Sequence, residues 1–315
     1  MPIIEVIVGK EDDDIRLDRW FKRHYSDVSF TQIAKLIRKG NIRVDGKKAD
    51  VSQRINAGMV LKFPEFTENV VSDEKPMINW RGKKLAEELK DNIIFQDDKI
   101  IAINKPYGLA VQGGSKVYVS LDDALEFIVN EGEEKPRLVH RLDRETSGVI
   151  IVAKSARIAH ILTSMFQQKA IEKTYLALVN GVPSVKRGTI NYALSKEAKG
   201  NFENMQKSEK GVTAITDYEV LDYALGHVSL LRMFPRTGRM HQLRAHTQII
   251  GHPILGDHKY RIAGVGTHDV VDKLHLLAQK IQFELEGKEY KFSVPLPDFF
   301  KSTMRQFGID LGSIK

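Results

Sequence analysis

Pro136-Arg-Leu-Val-His-Arg-Leu-Asp-Arg-Glu-Thr-Ser-Gly-Val-Ile-Ile-Val-Ala-Lys154 decides how this chain is read. The stretch opens on a short strand-like pair, Leu138 and Val139. It closes on Val149–Ala153, an unbroken apolar run that reads as a buried strand. Nine residues, eight of them polar or turn-forming, separate the two, and among them Asp143 lies between Arg141 and Arg144. Cationic neighbours favour the ionised form of a carboxylate. An ionised carboxylate suits a nucleophile or a base working at a carbon centre and suits a general acid poorly. On these residues alone, a loop whose Asp caps a turn beneath solvated arginines is an equally good reading.

Outward from this stretch, the body from Ile93 onward mixes strands and helices without a regular βαβ rhythm. Ile93–Gln96 and Lys99–Asn104 predict a hairpin across Asp97-Asp98. Ser120 caps a helix to about Asn130, and Ser155 opens one reaching about Gln168. Strands are expected at 174–179, 212–221 and 227–234. A helix is expected over Gly238–Gly251, and a late hairpin turns at Glu286-Gly287. Hairpins dominate, so the fold class is α+β, with a mixed, largely antiparallel sheet over residues 91–305. Gly251-His-Pro-Ile-Leu-Gly-Asp257 reads as a loop whose backbone approaches a ligand or another strand.

Two segments of this body offer partners for Asp143. Gly238-Arg-Met-His-Gln-Leu-Arg-Ala-His246 puts His241, Arg244 and Gln248 on one helical face, and a guanidinium such as Arg244 pairs bidentately with a carboxylate. An exposed cationic helix is the alternative. Tyr175, inside the apolar strand 172–179, reads by default as a core aromatic with a wet hydroxyl.

The N-terminal part is distinguished by charge. Residues 15–63 hold twelve Lys and Arg against four Asp, a net of +8, whereas the whole chain of 315 residues carries +7. One short segment therefore holds all of the positive excess, as expected of a polyanion-binding module on a nearly neutral body. Leu17, Trp20 and Phe21 form the apolar stripe of a first helix. Ser29 caps a second helix whose stripe is Ile33, Leu36 and Ile37, and Gly40 ends it. Asp45-Gly46 then signals a hairpin, and Met59–Phe63 a closing strand. Residues 64–90 lose periodicity and read as a linker with one short helix at Lys83–Lys90.

Several function classes fall away. Hydrophobic residues are 42% and charged residues 28%, an ordinary globular balance. The chain has no cysteine, which excludes disulfides, thiolate catalysis and cysteine-held zinc. No apolar run approaches the ~20 residues a membrane span needs, and the acidic N-terminus is neither a signal nor a transit peptide. A soluble, cytoplasmic protein is expected. Phosphate-loop, nucleophile-elbow and paired-histidine zinc patterns are absent, so no metal, nucleotide or other cofactor is expected.

The motifs resemble two known families. The basic helices followed by Arg38-Lys-Gly-Asn-Ile-Arg-Val-Asp-Gly-Lys47 resemble the S4 RNA-binding module over residues 15–63. That resemblance implies phosphate contacts from Arg16, Arg19, Lys35, Arg38, Lys39, Arg43 and Lys47. His140-Arg-Leu-Asp-Arg-Glu-Thr-Ser-Gly148, Lys173-Thr-Tyr-Leu-Ala-Leu-Val179 and Gly238-Arg-Met-His-Gln-Leu-Arg-Ala-His246 together resemble, in order and spacing, the RluA family of RNA pseudouridine synthases. With the S4-like module in front, the chain looks most like the RluC/RluD branch, which modifies large-subunit ribosomal RNA, and it leans towards RluC.

This resemblance implies that Asp143 is the nucleophile or base at the ribose, and that Arg244 pairs with Asp143 and keeps it ionised. It implies that Tyr175 stacks on the uracil and helps remove the C5 proton. Arg141 would hold open the place that the uridine leaves, and His140, Arg239, His241 and Gln242 would contact RNA or base. The partner is then RNA, with ribosomal RNA favoured over tRNA. Oligomeric state is left open, a monomer being the default. A non-catalytic RNA-binding or ribosome-assembly protein remains a competing class. So does a carboxylate glycosidase, which would need a second carboxylate beside Asp143, with Glu145 the nearby candidate.

Overall fold

The computed structural model describes residues 2–25, 28, 30–66, 75–114, 117–130, 133–199, 202–224, 226–265 and 270–314. The expected cap Ser29 lies outside them, as do residues 67–74 of the expected linker. The chain forms two compact units, Met1–Met77 and Ile78–Lys315.

The smaller unit contains strands β1 (Ile3–Ile7) and β2 (Ile15–Arg16), helices α1 (Leu17–His24) and α2 (Phe30–Arg38), and strands β3 (Arg43–Val44), β4 (Lys47–Lys48), β5 (Arg54–Ile55) and β6 (Val60–Pro64). The anticipated stripes are the core: Leu17, Trp20, Phe21, Ile33 and Ile37 pack with Ile42, Ile55, Leu61 and Phe63. Asp45 and Gly46 both have positive φ, 48° and 75°, as a two-residue turn between β3 and β4 requires. The N-terminal run joins the same sheet, with Ile3 opposite Pro64.

Helix α3 (Lys75–Leu89) leads into the larger unit and is longer than the short helix expected at 83–90. Among its described residues, the buried apolar side chains, Ala86 and Leu89, lie at the C-terminal end, so the preceding turns leave no periodic signal. Gly82 is required by packing, because a Cβ there would lie 2.3 Å from the Asp123 carbonyl oxygen.

The larger unit continues with β7 (Ile93–Gln96), β8 (Ile100–Lys105), α4 (Leu121–Ala124), β9 (Arg137–Leu138), β10 (Ser147–Ala153), α5 (Ala156–Gln167), β11 (Glu172–Asn180), β12 (Arg187–Lys199), β13 (Phe202–Lys207), β14 (Val212–Ala224), β15 (Val228–Pro235), α6 (Gln242–Ile249), β16 (Leu276–Leu285), β17 (Lys288–Ser293) and α7 (Asp298–Gln306). Eleven strands form one sheet in the order β13-β12-β14-β15-β11-β16-β10-β8-β7, with β17 on β16 and β9 on β10. Every pairing is antiparallel except β10 with β16, so the domain is α+β with a mixed, largely antiparallel sheet. Among the described residues, no helix is long and apolar enough to cross a membrane.

Strand β10 is buried throughout, and its side chains alternate between two cores. Val149, Ile151 and Ala153 face α5 and α7 residues such as Leu162 and Phe300. Ile150 and Val152 face Leu89, Leu121 and Leu125. The parallel pair at Ser147–Leu277 and Gly148–Ala278 joins an N-terminal half of the sheet, β7 to β10, to a C-terminal half. Gly148 makes this junction possible: its φ is 120°, and a Cβ would lie 2.2 Å from the Ala278 carbonyl oxygen.

Candidate active site

Asp143 sits in the loop just ahead of β10, and its carbonyl accepts from Thr146 N at 3.0 Å. The loop is clamped from beneath by Lys105, the last residue of β8. Lys105 is fully buried. Its Nζ donates to the carbonyls of Pro106 (3.0 Å), Leu109 (2.9 Å) and Arg144 (3.2 Å). Burial pushes its ammonium down to about 7, against the opposing pull of Asp143. Gly108 N donates to Arg144 O, and Arg144 Nε donates back to Gly108 O, both at 3.0 Å. Arg144 therefore braces the loop.

A cavity of about 510 Å³ opens at the junction of the sheet halves, lined by Asp143, Arg141, Tyr175, Lys173, His241 and Arg244 among others. That is roomy enough for a nucleoside-sized ligand. Asp143 comes from the N-terminal half, whereas Tyr175 on β11 and Arg244 on α6 come from the other.

The partners of Asp143 differ from the expectation. Arg244 is buried, and its tight bidentate partner is Asp257, with Nε and Nη2 donating at 2.7 Å each. Asp143 Oδ2 lies 3.8 Å from Arg244 Nη1, too far for a hydrogen bond, and Glu145 Oε2 lies 3.2 Å from Nη2. One guanidinium thus serves three carboxylates, and their charges hold it protonated against the cost of burial.

His241 contributes an imidazole, its Nε2 3.9 Å from Asp143 Oδ1, and burial lowers its pKa against the opposing charge of Asp143. Contrary to the helical reading, His241 is not in the helix. It is the N-cap of α6, in the left-handed region at φ 49°, and α6 begins at Gln242.

Tyr175 is half-buried and lines the cavity beside Asp143. Burial, then the charge on Asp143, raise its hydroxyl well above the ordinary range. The phenol is therefore held protonated, and to accept a proton from C5 it must first lose its own. The ring is the surface it offers to a base. Arg141 is exposed at the cavity.

Two residues expected to contact the base line the cavity while polar atoms of both are engaged by the protein. Gln242 is buried; its Oε1 accepts from Thr237 Oγ1 (2.7 Å) and Arg239 N (3.0 Å), and its Nε2 donates to Ile215 O (3.0 Å) and Thr216 Oγ1 (2.9 Å). Both ends of the amide are spent on the protein, leaving nothing for a base. His140 stacks on Phe166, and its Nε2 accepts from Ile151 N at 2.9 Å. Burial, then the charge of Lys173, push it down to about 3, so it is neutral with its proton on Nδ1. Arg239 lines the cavity while its Nε donates to Thr213 O at 3.2 Å.

Sequence reasoning missed Lys105, Asp257 and Tyr260. Lys105 follows an apolar strand, and a lysine ending such a run is the one local signal of a buried ammonium. Asp257 and Tyr260 lie in a loop with no periodicity. The stretch 251–257 does approach another strand: Leu255 N donates to Leu178 O on β11 at 2.8 Å, and Gly256, at φ 72°, lies against Lys273 O.

In the smaller unit, all seven predicted RNA-contacting cations are exposed. An open groove gathers Arg16 and Arg19 with Lys22, Arg23 and Arg54, which the sequence motif does not single out.

Comparison with known proteins agrees with this arrangement. Residues 99–248 match the RNA pseudouridylate synthase family, and residues 15–61 match the S4 domain. The ribosomal large subunit pseudouridine synthase C of Rickettsia prowazekii (strain Madrid E) is 36% identical over 289 residues, 90% of this chain and 95% of that one. This chain belongs to the RNA pseudouridine synthase family. A counterpart of the same name from Vibrio cholerae serotype O1 is 30% identical over 91% of each chain. The solved human RNA pseudouridylate synthase domain containing 4 superposes with a TM-score of 0.64 at 28% identity, covering 74% of this chain and 98% of that one. The enzyme is thus an RNA pseudouridine synthase with an S4 module.

Proposed function

We propose that the enzyme isomerises specific uridines of large-subunit ribosomal RNA to pseudouridine, with Asp143 as the group that acts at the ribose. One observation carries this reading. The Asp143 carboxylate faces a nucleoside-sized cavity between a guanidinium and an imidazole, beside a tyrosine ring. The relatives that share 90% of the chain are named for ribosomal large-subunit modification, which supports the substrate class.

A base stacked within a helix cannot reach a cavity of this kind, so the target uridine is extruded at a cost of a few kcal/mol. Arg141, exposed at the cavity, is suited to fill the vacated stack. Asp143 acts as nucleophile or base at the ribose while the N1–C1′ bond breaks. The uracil turns against Tyr175, the C5–C1′ bond forms, and the C5 proton is lost as N1 regains one. Product and substrate have equal mass.

Asp143→Asn should lower pseudouridine formation at least about 10⁴-fold while RNA affinity persists. An Asn variant that still forms pseudouridine, or release of free uracil by the native enzyme, would refute the reading. Pseudouridine maps of ribosomal RNA from cells with and without the gene identify the uridines.

A further inference from the structure

The loop after α6 holds the two groups that face Asp143. Asp257, buried, takes Arg244 through Nε and Nη2, and its Oδ1 also accepts from the backbone N–H of Lys259 (2.9 Å) and Tyr260 (3.1 Å). Tyr260, also buried, accepts from Met205 N at 2.8 Å. Its hydroxyl proton is then available to His241 Nδ1 at 3.0 Å, so the imidazole carries its own proton on Nε2, towards Asp143. The Tyr260 ring also lies 5.4 Å from the Arg244 guanidinium. The loop itself is fixed by Leu255 N to Leu178 O and His275 N to Leu255 O.

Arg244 has two oxygens of Asp257 at 2.7 Å and one of Asp143 at 3.8 Å. A bidentate Arg–carboxylate pair is among the stronger polar contacts a protein makes, and whichever carboxylate wins it has its oxygens occupied. The side chain that wins here is the one with no access to substrate. Asp143 is left with a guanidinium at 3.8 Å and an imidazole N–H at 3.9 Å, and with its lone pairs hydrogen-bonded to neither. His241 is kept in a left-handed backbone conformation that costs about 1–3 kcal/mol, so something must hold it, and the Tyr260 hydroxyl is positioned to do so.

We infer that Asp257 and Tyr260 are positioning residues: Asp257 holds Arg244 at an ion-pair distance from Asp143 that stops short of a hydrogen bond, and Tyr260 orients the His241 imidazole with its Nε2–H towards the same carboxylate. This rests on the proposed role of Asp143. Loss of activity in Asp143→Asn tests that role separately from the variants below.

The test is single-turnover pseudouridine formation on the RNA substrate, with the rate constant, the active fraction and the RNA Kd read separately. Asp257→Asn frees Arg244 to close on Asp143, and a misplacement on this scale lowers the rate constant about 100-fold with Kd unchanged. Tyr260→Phe keeps the ring and loses about tenfold, the worth of one hydrogen bond. In an Arg244→Lys background, which cannot make the two-point pair, Asp257→Asn costs much less than in the native enzyme. A merely structural role would lower the active fraction and leave the rate constant of the remainder intact, which overturns the inference. So does an equal loss with Arg or Lys at 244. If Asp257→Asn does not fold, Asp257→Glu, which keeps the charge but displaces Arg244, is read in its place. Tyr260→Phe decides independently: an undiminished rate constant there removes its half of the inference.

Discussion

Lys105→Met replaces a fully buried ammonium by an apolar side chain of similar length, and two opposing effects can be sized. In the native fold Pro106 and Leu109 would lose the Nζ donor, at about 1–3 kcal/mol per carbonyl, while Arg144 O keeps the N–H of Gly108. Against this, an ammonium pushed from 10.5 to about 7 costs the native protein about 4 kcal/mol at pH 7. The two nearly cancel, so stability at pH 7 should change little. Between pH 7 and 10.5 the unfolded chain binds a proton at Lys105 that the folded chain does not, so this group makes stability rise with pH. The native enzyme should therefore gain about 2 kcal/mol on the variant between pH 7 and pH 9, read by urea unfolding at both. The clamp on the Asp143 loop is lost in any case, and single-turnover activity should fall about 100-fold. An equal difference in stability at the two pH values would refute the buried, neutralisable ammonium. Native-like turnover in the variant would refute the clamp.

Two further outcomes follow from other parts of the molecule. Replacing Arg16, Arg19 and Lys22 with Ala should weaken RNA binding and flatten the slope of log K against log salt by roughly one for each phosphate no longer neutralised, and an unchanged slope would place the electrostatic anchor elsewhere. Gly148→Ala should cost about 2–4 kcal/mol, because its φ is 120° and the added Cβ meets Ala278 O, and urea unfolding at native-like stability would contradict the close β10–β16 approach.

The sequence was most legible where short-range pattern and structure coincide. The stripe of Leu17, Trp20 and Phe21, the apolar run of β10 and the Glu286-Gly287 turn each follow from spacing or from residues that tolerate positive φ. The helix that Ser120 predicts to about Asn130 is shorter: α4 ends at Ala124 and continues only as a tight turn through Phe127. Strands β12 and β13 were not anticipated, because Lys196, Glu197 and Lys199 interrupt their alternation. The three motifs did converge on one cavity. What spacing could not supply was the choice of partner. Asp257 lies thirteen residues beyond Arg244 across an aperiodic loop, and only the packing of that loop onto β11 brings the two together.

The single parallel pairing between β10 and β16 has a consequence for how this enzyme comes into being. A ribosome that has synthesised the chain as far as Gln167 has already made Asp143, yet Tyr175, His241 and Arg244 are still to come, and the strand that stitches them to Asp143 arrives only at Leu276. A truncated or half-finished polypeptide therefore owns Asp143 without the side chains that line the cavity beside it, and that cavity is complete only when one seam closes late in synthesis.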